Sequence, residues 1–353
     1  MREIEQLTTI TELTDQNRAA WDAYVMQAPH GLPQHLSGWR DVLHKANGYE
    51  THYLLAREGQ QIVGVLPLFV VRSVLLGKTA ATMPGGLCAD SDAVAAELIA
   101  HGQQLARQAK AKRFVLHDTR QVWPADLQTS SHHVHWIMQI EADVEALWKQ
   151  LDTNIRRQVR IARRNNLSVE IDRTGQQLGA FYDVFSRFTH QLGTPVFGRN
   201  FLEQVIEAFP DRFNIAVVYK EQQPIGAYFQ FQMGATMYGT WGASLREYLS
   251  LRPAYLAHWE ILSDACLNGY RCLDMGRSPS GSNAAKYKGQ WGGVSKPVFQ
   301  QTAGLGNGRA ATSIADRAQS DGRFQLVMRI WPKLPFPVAQ YLGPKLRRHV
   351  PFA

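Results

Sequence analysis

Asp274, Arg277, Lys286 and Lys288 crowd a single Gly/Ser-rich run, DMGRSPSGSNAAKYKGQWGG (274–293), that begins at the end of an apolar stretch. A carboxylate, a guanidinium and two ammonium groups around a turn able to expose backbone amides suit the handling of negative charge. That charge could be a bound phosphate or one that develops during a reaction. Gly276 to Gly281 spells the opening of a phosphate loop. Ser282 and Asn283 then stand where lysine and Ser/Thr are required, so nothing reaches the outer phosphates and that reading fails. Two readings remain on the residues alone. One is a solvated loop in which Arg277 pairs with Asp274; the other is the working edge of a group-transfer site.

A second cluster is IRRQVRIARR (155–164), with five arginines and no acid. On a helix, Ile155, Val159 and Ala162 share a stripe that faces a core. Arg156, Arg160 and Arg163 form the neighbouring stripe, with Arg157 and Arg164 beyond it. Such a set suits the phosphates of tRNA, a nucleotide-sugar or a lipid head group, against the alternative of a solvated face. No DNA partner is expected. His132, His133 and His135 fall in SSHHVHWIMQ, where His133 and His135 would share one face of a strand. No acid or cysteine at ligand spacing accompanies them, so a solvated strand edge and no metal are expected. RPAYLA (252–257) lies between a strand and a helix, where acyl-CoA enzymes carry a Q/R-x-x-G-x-G/A loop that cradles a pyrophosphate. Tyr255 takes the place of the first glycine, and a side chain there obstructs that close approach. No dinucleotide fingerprint, G-x-S-x-G, H-E-x-x-H or Cys/His signature occurs.

The elements that must position these groups suggest two domains, since 353 residues exceed the usual ~150 per domain. With 45% hydrophobic and 19% charged residues the chain has material for sizeable cores, and its net charge of +8 favours anionic partners. Cys88, Cys266 and Cys272 are too scattered for a disulfide framework or a zinc site. The N-terminal stretch lacks the apolar centre of a signal peptide and no apolar run reaches ~20 residues, so a cytoplasmic protein is expected. HYLLAREGQQIVGVLPLF (52–69) predicts a hairpin, and so does FNIAVVYKEQQPIGAYFQF (213–231). Each is followed by a helix and a further strand, RFVLHD (113–118) or RCLDMG (271–276). The matched order predicts a duplicated unit of mixed α/β type. Residues 140–171 read as a helix and then a strand, and 178–193 and 200–210 as amphipathic helices. The tail, 324–353, mixes aromatic, proline and basic residues; it suits packing back onto the fold, with a membrane interface as the alternative.

Taken in order, QHLSGW, MPGGLCADSDA, IRRQVRIARRNNLSVEI, FTHQLGTPVFGRNFL, YGTWGASLREYLSLRPAYLAHWEIL and DMGRSPSGSNAAKYKGQWGG resemble the FemAB-type aminoacyltransferases. They are more closely similar to FemAB-related proteins of exosortase and exopolysaccharide gene clusters, which carry a BioF2-like acetyltransferase domain. The resemblance implies an α/β chain of two tandem GNAT-like domains, at 1–139 and 140–304, followed by a partly helical tail at 305–353. It implies transfer of an acyl or aminoacyl group to an amine-bearing peptidoglycan or exopolysaccharide precursor. The donor would be aminoacyl-tRNA or an acyl thioester, with no tightly bound cofactor. The family's lysine maps onto Lys288, which would stabilise the tetrahedral intermediate or leaving group, with Asp274 as a candidate base. Many relatives have a second basic residue next, where this chain has Gly289. Arg277 would bind a phosphate or carboxylate of a substrate. Tyr238, Trp241, Tyr255, Tyr287 and Trp291 would line the cleft, and Thr194 and Phe197 would hold the acceptor. Arg156, Arg160, Arg163 and Arg164 would bind an anion, and peripheral contact with an acidic membrane surface is a further expectation. An N-acyltransferase using acyl-CoA or acyl carrier protein is one alternative. A catalytically idle module that binds an anionic polymer or membrane surface is the other.

Overall fold

A computed structural model describes residues 8–73, 77–305 and 322–349, and the chain divides into two compact units. The first holds the described residues up to His132 together with Val298–Leu305 and 346–349; the second holds His133–Pro297 and 322–345. The division expected at 139/140 thus falls at 132/133, and the run from Val298 belongs to the first unit. Of the expected tail segment, 306–321 and 350–353 lie outside the described residues.

In the first unit, strand β1 (Thr8–Glu12) precedes helices α1 (Arg18–Gln27) and α2 (Gly38–Asn47). The predicted hairpin follows as β2 (Glu50–Glu58) and β3 (Gln61–Ser73), and then come β4 (Gly77–Thr82) and the short β5 (Cys88–Ala89). Helix α3 (Asp92–Gln108) starts at Ser91, whose hydroxyl accepts from the Val94 amide at 3.3 Å, as an N-cap should. It leads into β6 (Arg113–Thr119). The strands pair antiparallel along β1–β2–β3–β4, and β4 then runs parallel to β6. Leu54, Leu66, Leu68, Leu98, Ile99, Phe114 and Leu116 meet in one apolar core.

The second unit repeats this order after a leading strand and two helices. Its first strand is β7 (Gln128–Gln139), followed by helices α4 (Val144–Gln150) and α5 (Thr153–Arg164) and strand β8 (Leu167–Asp172). One helix was expected over 140–164; the chain makes two. Leu151 is extended and the Asp152 carboxylate caps α5 by accepting from the Asn154 amide at 2.7 Å. Helices α6 (Leu178–Gln191) and α7 (Arg199–Ala208) follow, then β9 (Phe213–Lys220), β10 (Gln223–Met233) and β11 (Thr236–Ser244). Helix α8 (Pro253–Leu267) begins with Pro253 and leads to β12 (Cys272–Pro279). The strands lie in the order β7-β12-β11-β10-β9-β8, and only β11 and β12 are parallel. Alternation along β10 sends Tyr228 to the face packed by α5 and α8, and Phe229 to the face packed by α6.

The strand orders of the two units are also finished alike. Strand β13 (Val294–Gly304) pairs antiparallel with β6 over Phe299–Gly304, and β7 pairs antiparallel with β12 over His133–Gln139. The duplication read from the two hairpins therefore extends through the whole strand order, mixed α/β in both units.

Candidate active site

Strand β12 is where the second unit becomes chemically unusual. It runs parallel to β11 for only three pairs, ending at Tyr238 opposite Asp274, and its register with β7 slips between Asp274 and Arg277. Met275 and Gly276 form the bulge. Gly276 has a φ of +73°, and a Cβ there would lie 2.3 Å from the Gly239 carbonyl oxygen, so only glycine fits. The bulge folds the strand back on the Asp274 carboxylate. Oδ1 accepts from the Gly276 amide at 2.8 Å, and Oδ2 lies 3.2 Å from His135 Nδ1 on β7. Asp274 and His135 are both buried.

The bulge also aims two carbonyl groups at Lys288. Its ammonium donates to Gly276 O at 2.9 Å and Arg277 O at 3.0 Å. Lys288 sits in the last turn of α9 (Asn283–Gly289), which Ser282 caps by accepting from the Ala285 amide. The turn expected to span Arg277 to Lys288 is therefore narrower: Arg277 still belongs to β12 and Lys288 to a helix. Burial lowers the Lys288 pKa to about 8, with Arg277 adding to the depression and Asp274 opposing it. Gly289 follows because a Cβ there would lie 2.8 Å from the Trp136 ring, which leaves no room for the second basic residue.

Beside Lys288 stands an aromatic wall. The rings of Tyr255, His258, Tyr287 and Trp291 lie 5.1 to 6.3 Å apart, and Tyr228 meets His258 at 4.9 Å. Tyr287 Oη donates to the Ala254 carbonyl at 3.0 Å. His258 Nδ1 lies 2.8 Å from the same oxygen and 3.2 Å from the Tyr287 hydroxyl. Burial pushes the His258 pKa down to about 4, and Lys288 pushes in the same direction, so the imidazole is neutral at pH 7. A cleft of about 480 Å³ opens next to Trp291, lined by Ile137, Gln139, Gln150, Leu151 and Lys296 among others.

The fold thus brings together Asp274, Arg277, Lys288, Tyr255, Tyr287 and Trp291, with Tyr238 opposite Asp274 on β11. Trp241 and Phe197 go elsewhere. Their rings meet at 5.4 Å and join Phe185, Phe201 and Phe229 on the α6 face of the sheet. Thr194 packs with Ser186, His190, Trp331 and Phe336. On α5 the predicted stripe of Ile155, Val159 and Ala162 is buried. Its arginines are less isolated than the segment suggests. Arg163 pairs with Glu260 of α8 at 3.0 Å, and the Arg160 and Arg163 guanidinium groups lie 5.6 and 6.0 Å from the centre of the Trp148 ring. Arg156 donates to Thr153 Oγ1, and Arg164 is exposed.

Three participants were not expected. His135 was read as part of a solvated strand edge; instead it is buried against Asp274, a partner 139 residues away that no spacing rule reveals. His258 was not singled out, although Tyr255 and His258 share a helix face at a spacing of three. The third is a bulge in β11. Gln230 pairs with Gly239 and Phe229 with Trp241, so Thr240 has no opposite residue on β10. Bulges of this kind turn backbone groups and side chains toward a site.

Residues 149–289 match the family model of the acetyltransferase (GNAT) domain. No curated protein matches the sequence. Among solved structures the chain is similar to FemX, with 14% identity and a TM-score of 0.66 over 84% of this chain and 97% of FemX. A tandem GNAT protein from the clavulanic acid biosynthesis pathway aligns at 12% identity and a TM-score of 0.58, over 86% of this chain and all of its own, 100%. The C-terminal domain of a putative lysylphosphatidylglycerol synthetase from Agrobacterium fabrum aligns at 11% identity and 0.57, over 89% and 96%. At these identities the likeness is one of fold. It agrees with the resemblance to FemAB-related proteins, and the matched acetyltransferase (GNAT) domain includes Asp274–Lys288.

Proposed function

We propose that the second unit transfers an aminoacyl or acyl group to an amine on a peptidoglycan or exopolysaccharide precursor, with Lys288 as the group that meets the reacting atoms. The observation that carries this reading is the position of Lys288 over the β12 bulge. Two of its three N–H groups bond to the carbonyl groups of Gly276 and Arg277, which fixes the ammonium and leaves the third for a substrate oxygen. With a pKa near 8 it is largely protonated at pH 7 and a better proton donor than an ordinary lysine.

In the step that follows, the acceptor amine attacks the acyl carbonyl carbon and the C–N bond forms. The carbonyl oxygen becomes an oxyanion within reach of the ammonium. The bond from carbon to the leaving oxygen or sulfur then breaks. The leaving group takes a proton from Lys288, and the proton released by the amine restores the ammonium. Asp274 is not free to act as the base, because both carboxylate oxygens are engaged with Gly276 and His135. Its role is to hold the bulge in shape and to keep Lys288 charged. The aromatic wall of Tyr255, Tyr287 and Trp291 shields the reacting atoms from water.

Aminoacyl-tRNA as donor is supported by the exposed arginines of α5. A thioester donor has its own support in the GNAT domain match, although Tyr255 occupies the place where a pyrophosphate loop needs glycine. A direct test offers the purified protein labelled aminoacyl-tRNA, acyl-CoA and acyl carrier protein thioesters with amine-bearing nucleotide-sugar precursors, and reads products by mass. Transfer from aminoacyl-tRNA supports the first donor and transfer from a thioester the second. Absence of any product, with Lys288→Ala indistinguishable in every binding assay, would leave an idle binding module.

A further inference from the structure

The second tail helix buries one side and exposes an apolar other, and the first exposes every residue from Leu326 to Ile330. The helices are Gly322–Ile330 and Phe336–Arg347. Trp331, Ala339 and Gly343 are buried, His190 Nε2 lies 3.0 Å from Leu334 O, and a Cβ on Gly193 would lie 2.4 Å from Met328 O. The tail therefore packs against the end of α6 and the loop that carries Thr194. Its outer side is a different surface. All five residues from Leu326 to Ile330 are exposed, and four of them are large and apolar. Leu326 is 56% exposed, Ile330 46%, and Tyr341 66%; Val338 is exposed beside them. A short helix that shows apolar residues around its outer side is stable in water only if something apolar covers it.

The charge of the segment selects the cover. Between Gly322 and His349 the sequence has no acid, and it has six basic residues, among them Arg329, Lys333 and Lys345. Arg329, Lys333 and Lys345 are exposed next to the apolar residues. The Lys345 ammonium sits 3.8 Å from the centre of the Tyr341 ring, an amphipathic pair suited to an interface between water and acyl chains. Among the described residues no helix is long and apolar enough to cross a membrane. We infer that the outer face of the C-terminal helices docks on an anionic lipid surface. Leu326, Ile330 and Tyr341 enter the head-group region, and Arg329, Lys333 and Lys345 meet lipid phosphates.

The test is sedimentation of the full chain with vesicles of mixed phosphatidylglycerol and phosphatidylcholine, against vesicles of phosphatidylcholine alone. The protein is expected to bind the anionic vesicles with a clear preference that added salt weakens. Leu326→Ser with Ile330→Ser should weaken binding by about tenfold or more, because two apolar insertions are lost. Arg329→Glu with Lys333→Glu should weaken it about twentyfold or more, at about fivefold per basic contact, and abolish the lipid preference. All four positions are exposed, so the thermal midpoint should hold in both variants. No binding to anionic vesicles, or binding that neither variant changes, overturns the inference. So does light scattering that finds an oligomer which the Leu326→Ser, Ile330→Ser variant separates, without vesicle binding. The face would then be a contact between copies of the chain.

Discussion

The same strand ends differently in the two units. In the first, β6 slips in register against β13 between Leu116 and Thr119, leaving His117 and Asp118 unmatched; in the second, β12 slips against β7 between Asp274 and Arg277. Aligned on that slip, Leu116 stands where Asp274 does, and Asp118, with φ +46°, stands where Gly276 does. Leu116 joins the apolar core, whereas Asp274 holds His135 and the bulge. The neighbouring pairs also differ. The β3–β4 register is continuous, and the β10–β11 register slips to leave Thr240 unmatched. After the slip the first unit runs on without a helix before β7, where the second places α9 and Lys288. A bulged strand end belongs to the scaffold; a carboxylate, a glycine and a lysine around it distinguish the copy that holds the proposed site.

That comparison can be broken most directly at Lys288. Lys288→Ala should lower turnover by about 10² to 10³ while the thermal midpoint stays close to wild type, since one charge-assisted donor is removed. Turnover within a few-fold of wild type would end its assigned role. The reciprocal swap at the aligned position sharpens the contrast. Leu116→Asp should destabilise the protein by about 3 kcal/mol or more by burying a charge in an apolar core. Asp274→Leu should reduce activity and leave His135 unpartnered, at about 1 to 3 kcal/mol. Chemical denaturation beside activity separates the two. Gly276→Ala should cost roughly 1 to 3 kcal/mol, because the residue is left-handed and its Cβ meets the Gly239 carbonyl; a neutral effect would mean the bulge relaxes. The smallest effect is on pH. The ammonium is the working form, so turnover should hold below pH 8 and fall as pH rises through about 8, by about tenfold between pH 7 and 9. Lys288→Arg should retain reduced activity and lose that decline, because a guanidinium does not titrate there.

Much of the architecture was legible because its signals are local. The two hairpins, the helix α8 and the strand after it could be read from alternation, turn residues and helical spacing. The short strands and those with distant partners were harder. β1 and β4 are short, and β13 finds its partner far away in sequence, so nothing nearby announces it. The site divided in the same way. Asp274, Arg277 and Lys288 stand close together in the chain and stay together in space. The His135–Asp274 contact depends on strand pairing across most of the second unit. Trp241 and Phe197 show the limit of counting aromatics: alternation along β11 sends Trp241 to the α6 face, away from Tyr255, and Phe197, in the loop after α6, meets it there.

Strand β13 has a consequence for how the molecule comes into being. The first unit needs residues 299–304 to cover one side of β6, yet those residues follow His133–Pro297, all the strands of the second unit, in the sequence. A ribosome that has finished residues 1–132 has made a sheet whose β6 margin is a row of open backbone donors and acceptors, with apolar residues beside it. The second unit has every one of its strands once β12 has emerged. The sheet of the later-made half is therefore the first able to close, and that of the earlier half waits for the chain to return. A chain cut after Pro297 would carry the Lys288 site intact and a first unit prone to aggregate through β6.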